Sequence, residues 1–132
     1  MTASVLIVDD DPIQRRLLTE MVKRFGFDPV AVESGALALD WMRSGQEFAA
    51  VILDLVMPDL DGMAVLARMK DIEDAPPVIV QTAHGSIETV ISAMRAGAVD
   101  FVVKPVGAER LQVSIRNAMR VEALESEVRR LS

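Results

Sequence analysis

The chain has 132 residues, enough for one domain with a sizeable core and too few for two ordinary ones. With 51% hydrophobic and 26% charged residues it is globular rather than disordered, and its net charge of -6 argues against a domain that itself grips nucleic acid. The absence of cysteine excludes a disulfide framework and a thiolate metal site, and no apolar run is long enough to span a bilayer.

The N-terminus enters a short apolar run without a basic start, so no signal peptide is expected and a cytoplasmic protein fits. "SVLIV" (Ser4 to Val8), rich in β-branched residues, predicts a buried strand. Asp9, Asp10, Asp11 and Pro12 follow as a helix start, with Asp11 as N-cap and Pro12 in the first turn. Ile13, Leu17, Leu18, Met21 and Val22 recur at helical spacing, and Lys23, Arg24 and Gly26 close that helix. "DPVAV" (Asp28 to Val32) reads as a second strand, and Ser34 caps a second helix through about Arg43. "AAVIL" is a third strand ending at Asp54; Met57 to Asp61 is loop, and Asp61 caps a short helix from Gly62 to about Met69. "VIVQ" is strand four, Ser86 caps a helix that stops at Gly97, and "DFVV" is strand five, closed by Lys104 and Pro105. A last helix runs from about Ala108 towards Ser132.

Five strands alternate with helices, and the strands are apolar runs rather than alternating patterns. Such strands are covered on both faces, which predicts an α/β fold: a parallel sheet between helices. Five strands in this length fit the flavodoxin-like doubly wound order 2-1-3-4-5.

In open α/β sheets, ligands bind beyond the carboxyl ends of the strands, where strand order reverses. The predicted strand ends carry Asp9 and Asp10, then Asp54, Thr82 and Lys104. Asp54 is the informative one, because burying an isolated carboxylate is costly unless it is paired, metal-bound or protonated. In the predicted order it joins a cluster of three acids, one hydroxyl and one amine. Carboxylates this close repel one another. With oxygen ligands, no cysteine and no neighbouring histidine, the natural counter-charge is a hard cation such as Mg²⁺. A metal, an ammonium and a hydroxyl around one carboxylate are what phosphoryl transfer to that carboxylate needs.

The segments "LIVDDD", "LDLVMPDLDG", "VIVQTA" and "FVVKP", in this order and spacing, resemble the receiver domain of two-component response regulators over residues 4 to about 119. The resemblance implies that Asp54 is the phosphoacceptor, Asp10 a direct Mg²⁺ ligand, and Asp9 a ligand through metal-bound water. The backbone carbonyl of Val56 would complete the protein ligands. Thr82 and Lys104 would contact the phosphoryl group, and Phe101 would stand at the switch aromatic. Pro105 would follow a cis peptide bond, and Val56 and His84 would tune the phosphoryl lifetime. The natural donor would be a sensor histidine kinase. The chain would then be a signalling phosphoacceptor that catalyses its own phosphoryl transfer and dephosphorylation, not a metabolic enzyme.

"QTAHGSIETVISAMRAGAVDFVVKP" is most similar to the nitrogen-regulator branch, whose members add a helical linker, an AAA+ ATPase and a DNA-binding helix-turn-helix. On that resemblance, residues 1–119 form the receiver and residues 120–132 begin a linker to a transcriptional output domain that this chain lacks. Ala118, Val121, Leu124, Val128 and Leu131 form an apolar stripe along that tail, at spacings that suit a helix seam and a parallel homodimer.

Plainer readings exist for each residue. Asp9 and Asp10 alone would serve equally well as helix-start acids, Lys104 as a solvated charge, Phe101 and Trp41 as packing, His84 as a loop residue, and Asp59 as structural. Three functional alternatives compete. A phosphatase of the haloacid dehalogenase type wants a second acid two residues after the nucleophile, where this chain has Val56. A flavodoxin-like cofactor binder wants a phosphate loop after strand one, where this chain has acids. A pseudo-receiver would bind partners without phosphoryl chemistry, against the intact set of Asp54, Thr82 and Lys104.

Overall fold

The computed structural model describes residues 2–57, 60–83 and 87–131. Among these, strands and helices alternate as β1 (Ser4–Val8), α1 (Pro12–Arg24), β2 (Asp28–Val32), α2 (Gly35–Arg43), β3 (Ala50–Asp54), α3 (Gly62–Met69), β4 (Val78–Thr82), α4 (Ile87–Arg95), β5 (Asp100–Val103) and α5 (Ala108–Leu131). The sheet is parallel throughout, in the order β2-β1-β3-β4-β5. The doubly wound, flavodoxin-like expectation is met.

The helix starts follow from side-chain acceptors placed where the first N–H groups lack partners. Asp11 accepts from the Ile13 N–H at 2.9 Å, Ser34 from the Leu37 N–H at 3.2 Å, and Asp61 from the Ala64 N–H at 2.9 Å. Ser86, the expected cap of α4, lies outside the described residues. Gly26 ends α1 with φ +90°, a left-handed conformation that disfavours any side chain.

Alternate residues along β1, β3 and β4 feed two cores. Leu6, Val8, Val51, Leu53, Val78 and Val80 pack with Leu39, Val65 and Ala93 from α2, α3 and α4. Val5, Ile7, Ala50, Ile52, Ile79 and Val102 pack with Leu18 and Val22 of α1 and Leu111 and Ile115 of α5. Of the stripe predicted on α1, Leu18 and Val22 are buried, whereas Ile13 is 71% and Leu17 50% exposed. The apolar arc of α1 is thus wider than the face it lays on the sheet.

The last helix is continuous over 24 residues. Ala118 is fully buried against the sheet, Val121 is half-buried, and Leu124 and Val128 are 62% and 64% exposed. The predicted stripe therefore changes role along its length, from core to open surface. Trp41 packs edge-on against Phe48 at 6.4 Å, a packing role as expected. No helix among the described residues is long and apolar enough to cross a membrane.

Candidate functional site

The strand period sets the site. Residues of β1, β3 and β4 that face α1 and α5 run Val5-Ile7, Ala50-Ile52 and Ile79, and each series continues one step further into a polar residue: Asp9, Asp54 and Gln81. The register pairs Asp54 with Gln81 directly. A polar row thus crosses the carboxyl end of the sheet where the apolar rows stop.

Asp9 and Asp54 are 0% and 3% exposed, while Asp10 is exposed. One carboxylate oxygen from each of the three lies within 4.8 Å of the others. An all-oxygen set this tight suits a hard divalent cation. The three acids expected to meet do meet.

Asp54 is held at both oxygens. Oδ1 accepts from the Val56 N–H at 3.1 Å, and Oδ2 accepts from Lys104 Nζ at 2.9 Å. The Lys104 ammonium is also 3.9 Å from Asp9 Oδ2. Its placement follows from the sheet, because the Lys104 N–H donates to the Thr82 carbonyl at 2.8 Å, continuing the β4–β5 ladder one residue beyond the strand. The Lys104–Pro105 bond is cis, as expected. Thr82 is buried at the end of β4. Val56 is 75% exposed at the rim. His84, Pro58 and Asp59 lie outside the described residues.

Asp9 is held as firmly as Asp54. Oδ1 accepts from the Asp11 N–H at 2.9 Å, Oδ2 accepts from Gln81 Nε2 at 2.9 Å, and the Asp9 carbonyl accepts from Arg15 at 2.8 Å. Burial pushes the Asp9 carboxyl above its ordinary pKa; the Asp11 N–H pulls it down, nearby Asp54 pushes it up again, and Lys104 pulls against both.

Gly62 lets α3 begin directly under this site. A Cβ there would stand 2.6 Å from the Asp54 carbonyl oxygen and 2.7 Å from Leu55 Cα. Any side chain there would force the start of α3 and the end of β3 apart.

Phe101, half-buried on β5, packs against the α2–α3–α4 core. Arg110 of α5 donates to the Phe101 carbonyl at 2.8 Å, and its guanidinium lies 5.9 Å from the centre of the Phe101 ring. Asp100 ties the arrangement together, accepting from Arg110 at 3.1 Å and from the Ser114 hydroxyl at 2.8 Å. Burial works against the Asp100 carboxylate, but hydrogen bonds from Arg110, Ser114 and the Phe101 N–H hold its pKa below the ordinary value.

Two residues of this region escape sequence reasoning. Gln81 carries a signal of the same kind as Asp54, a polar residue in an apolar strand. Arg110 carries none, since an arginine in the first turns of an amphipathic helix is ordinary.

The chain matches the response regulator receiver domain family over residues 5–116. It belongs to that family. It is 33% identical to the regulatory protein AtoC of Escherichia coli over 127 residues, covering 96% of this chain and 27% of AtoC. It is 34% identical to the transcriptional regulatory protein FixJ of Bradyrhizobium diazoefficiens over 116 residues, 88% of this chain and 56% of FixJ. Among solved structures, NtrX from Brucella abortus superposes with a TM-score of 0.90 at 32% identity, covering 100% of this chain and 30% of NtrX. A receiver domain protein from Clostridium thermocellum gives 0.85 at 30% identity, covering 92% of this chain and 98% of that one. These likenesses bear out the nitrogen-regulator resemblance. This chain thus spans about a quarter of AtoC's length.

Proposed function

We propose that this receiver accepts a phosphoryl group on Asp54 from a sensor histidine kinase, with Mg²⁺, and thereby switches assembly of a transcriptional output domain. The observation that carries the reading is the double anchoring of Asp54, by the Val56 N–H and by Lys104, within reach of Asp9 and Asp10. A metal-dependent phosphatase with an aspartyl nucleophile would need an acid where Val56 stands.

Asp10 and Asp54, the Val56 carbonyl, and Asp9 through water would hold the ion. When bound, Mg²⁺ would offset the charge of the carboxylates and of the incoming phosphoryl oxygens. An Asp54 oxygen attacks phosphorus in line as the P–N bond to the kinase imidazole breaks; the imidazole nitrogen keeps the bonding pair and takes up a proton. Lys104, freed from the Asp54 oxygen it now contacts, follows the negative charge to the phosphoryl group. The Thr82 hydroxyl donates a hydrogen bond to the same group.

Phosphorylation then shifts an existing equilibrium. Thr82 moves towards the phosphoryl oxygen, Phe101 turns inward, and the surface of α4, β5 and α5 changes with them. Val56, too apolar to orient a water, and His84 set how long the phosphoryl group lasts. Residues 1–119 act as the receiver and 120–132 as the start of a helical linker that pairs in a parallel homodimer. The domain makes no direct nucleic-acid contact, and a cytoplasmic location goes with this reading.

Incubation with Mg²⁺ and a small phosphodonor, followed by intact mass, tests the reading. One added phosphoryl group is expected, absent in EDTA, with a decay rate altered by Val56→Asn. A protein that gains no mass under any of these conditions is a binding module alone.

A further inference from the structure

We propose that Gln81 is a positioning residue for Asp9, and through it for the Mg²⁺ site; this rests on the metal reading above. Gln81 is 0% exposed in β4, following the apolar Val78, Ile79 and Val80 and facing the α1–α5 core beside Ile79 and Val102. A hydrophobic residue would fill that place at no polar cost. Instead the amide reaches over from β4 and donates from Nε2 to Asp9 Oδ2 at 2.9 Å. The opposite amide orientation would set two acceptors against each other, so the nitrogen faces the carboxylate.

The other end of the amide shows which contact matters. Gln81 Oε1 is buried and has no hydrogen-bond partner among the described residues. A buried acceptor left unpaired is costly, so the side chain is not placed here for its own satisfaction. Its useful contact is with Asp9.

Asp9 needs that contact. Oδ1 is fixed by the Asp11 N–H, but apart from Gln81 the cation beside Oδ2, Lys104, stands at 3.9 Å, beyond hydrogen-bond range, and is bonded to Asp54 at 2.9 Å. A lysine shared between two acids fixes neither orientation well. Gln81 supplies Asp9 Oδ2 with a neutral donor and leaves Lys104 to Asp54. It thereby holds the acid oriented towards Asp10 and Asp54 whether or not Lys104 moves. Partners of this kind behind a metal-binding carboxylate typically set affinity by about 10- to 100-fold. The lower end is expected here, because Asp9 acts on the ion through water.

The test is Mg²⁺ titration of the full chain, without phosphodonor, by calorimetry and by ¹H–¹⁵N NMR. Gln81→Met keeps the volume and removes the donor. It should weaken Mg²⁺ binding by about 10-fold. In an Asp9→Asn background the same substitution should make no further difference, since its effect passes through Asp9. Unchanged affinity in Gln81→Met, or an equal loss in both backgrounds, overturns the proposal. The wild-type Gln81 side-chain amide gives an independent reading should the variant fail to fold. Its proton facing Asp9 should shift on adding Mg²⁺ and on Asp9→Asn, and indifference to both would refute the proposal. A wild-type chain that binds no Mg²⁺ would instead overturn the metal reading itself.

Discussion

Lys104 Nζ lies 2.9 Å from Asp54 Oδ2, although Asp54 ends β3 and Lys104 follows β5, with β4 between them. The lysine side chain crosses the end of β4 to reach the acid, and it remains 21% exposed while the Asp54 side chain is nearly fully buried. It is the ammonium nearest the proposed phosphoacceptor. Lys104→Ala is therefore expected to slow phosphorylation by a small donor by on the order of 10-fold. This is less than the roughly 10²–10³-fold typical of a water-excluded oxyanion site, because the site is partly open and the metal shares the work. An equal rate in wild type and variant, by intact mass over time, would remove that role.

Asp9 is a charge the metal-free fold holds at a cost, since burial and Asp54 raise its pKa. The folded state therefore disfavours the ionised form relative to the unfolded chain. Asp9→Asn removes that charge. The new amide can keep its oxygen on the Asp11 N–H and donate to Gln81 Oε1 once the glutamine turns over, which leaves Nε2 in the unpaired place that Oε1 held, so the gain comes from the removed charge. Melting in EDTA at neutral pH should rise by several degrees, the scale that about 1 kcal/mol produces in a domain of this size. Stabilisation of the variant by Mg²⁺ should fall. A lower melting temperature in EDTA would contradict this.

Asp100 has the opposite sign. Its folded pKa is depressed, so its contribution is full above the ordinary value of 3.8 and is lost as pH falls through the lower, folded value. Asp100→Asn should cost up to about 1 kcal/mol at pH near 7, discounted because Arg110 is 46% exposed. The gap between variant and wild type in denaturant midpoint should close in strong acid. A gap that stays constant from neutral to acid pH would show that Asp100 acts through shape rather than charge.

The tail gives a prediction about assembly. Leu124 and Val128 stand exposed on α5 after Ala118 has finished covering the sheet. The seam is shorter than the roughly three or four heptads that a self-sufficient coiled coil needs. Weak, concentration-dependent dimerisation is therefore expected of this chain by sedimentation, and none of a version ending at Arg120. Monomers in both cases at high concentration would remove the seam from this region.

Most of the fold is legible in the sequence because local signals agree with one another. Asp11 with Pro12, Ser34 and Asp61 mark helix starts by chemistry that acts within three residues, and unbroken β-branched runs mark strands that are covered on both faces. The acids, Thr82 and Lys104 are legible because the sheet rule brings strand ends together. Contacts that join distant residues are less so. Gln81 meets Asp9 across 72 positions of chain, and nothing near Gln81 in sequence names its partner. Arg110 reaches Phe101 and Asp100 only because α5 packs beside β5. Periodicity finds the apolar side of α1 but not that Ile13 and Leu17 fall outside the buried arc.

The proposed function stands or falls with metal-dependent transfer of a phosphoryl group to Asp54. The most direct measurement is intact mass of wild type and Asp54→Asn after incubation with Mg²⁺ and a small phosphodonor. The wild type should gain one phosphoryl group in Mg²⁺ and none in EDTA, and Asp54→Asn should gain none. A phosphoryl gain in Asp54→Asn at the wild-type rate would place the phosphoacceptor elsewhere.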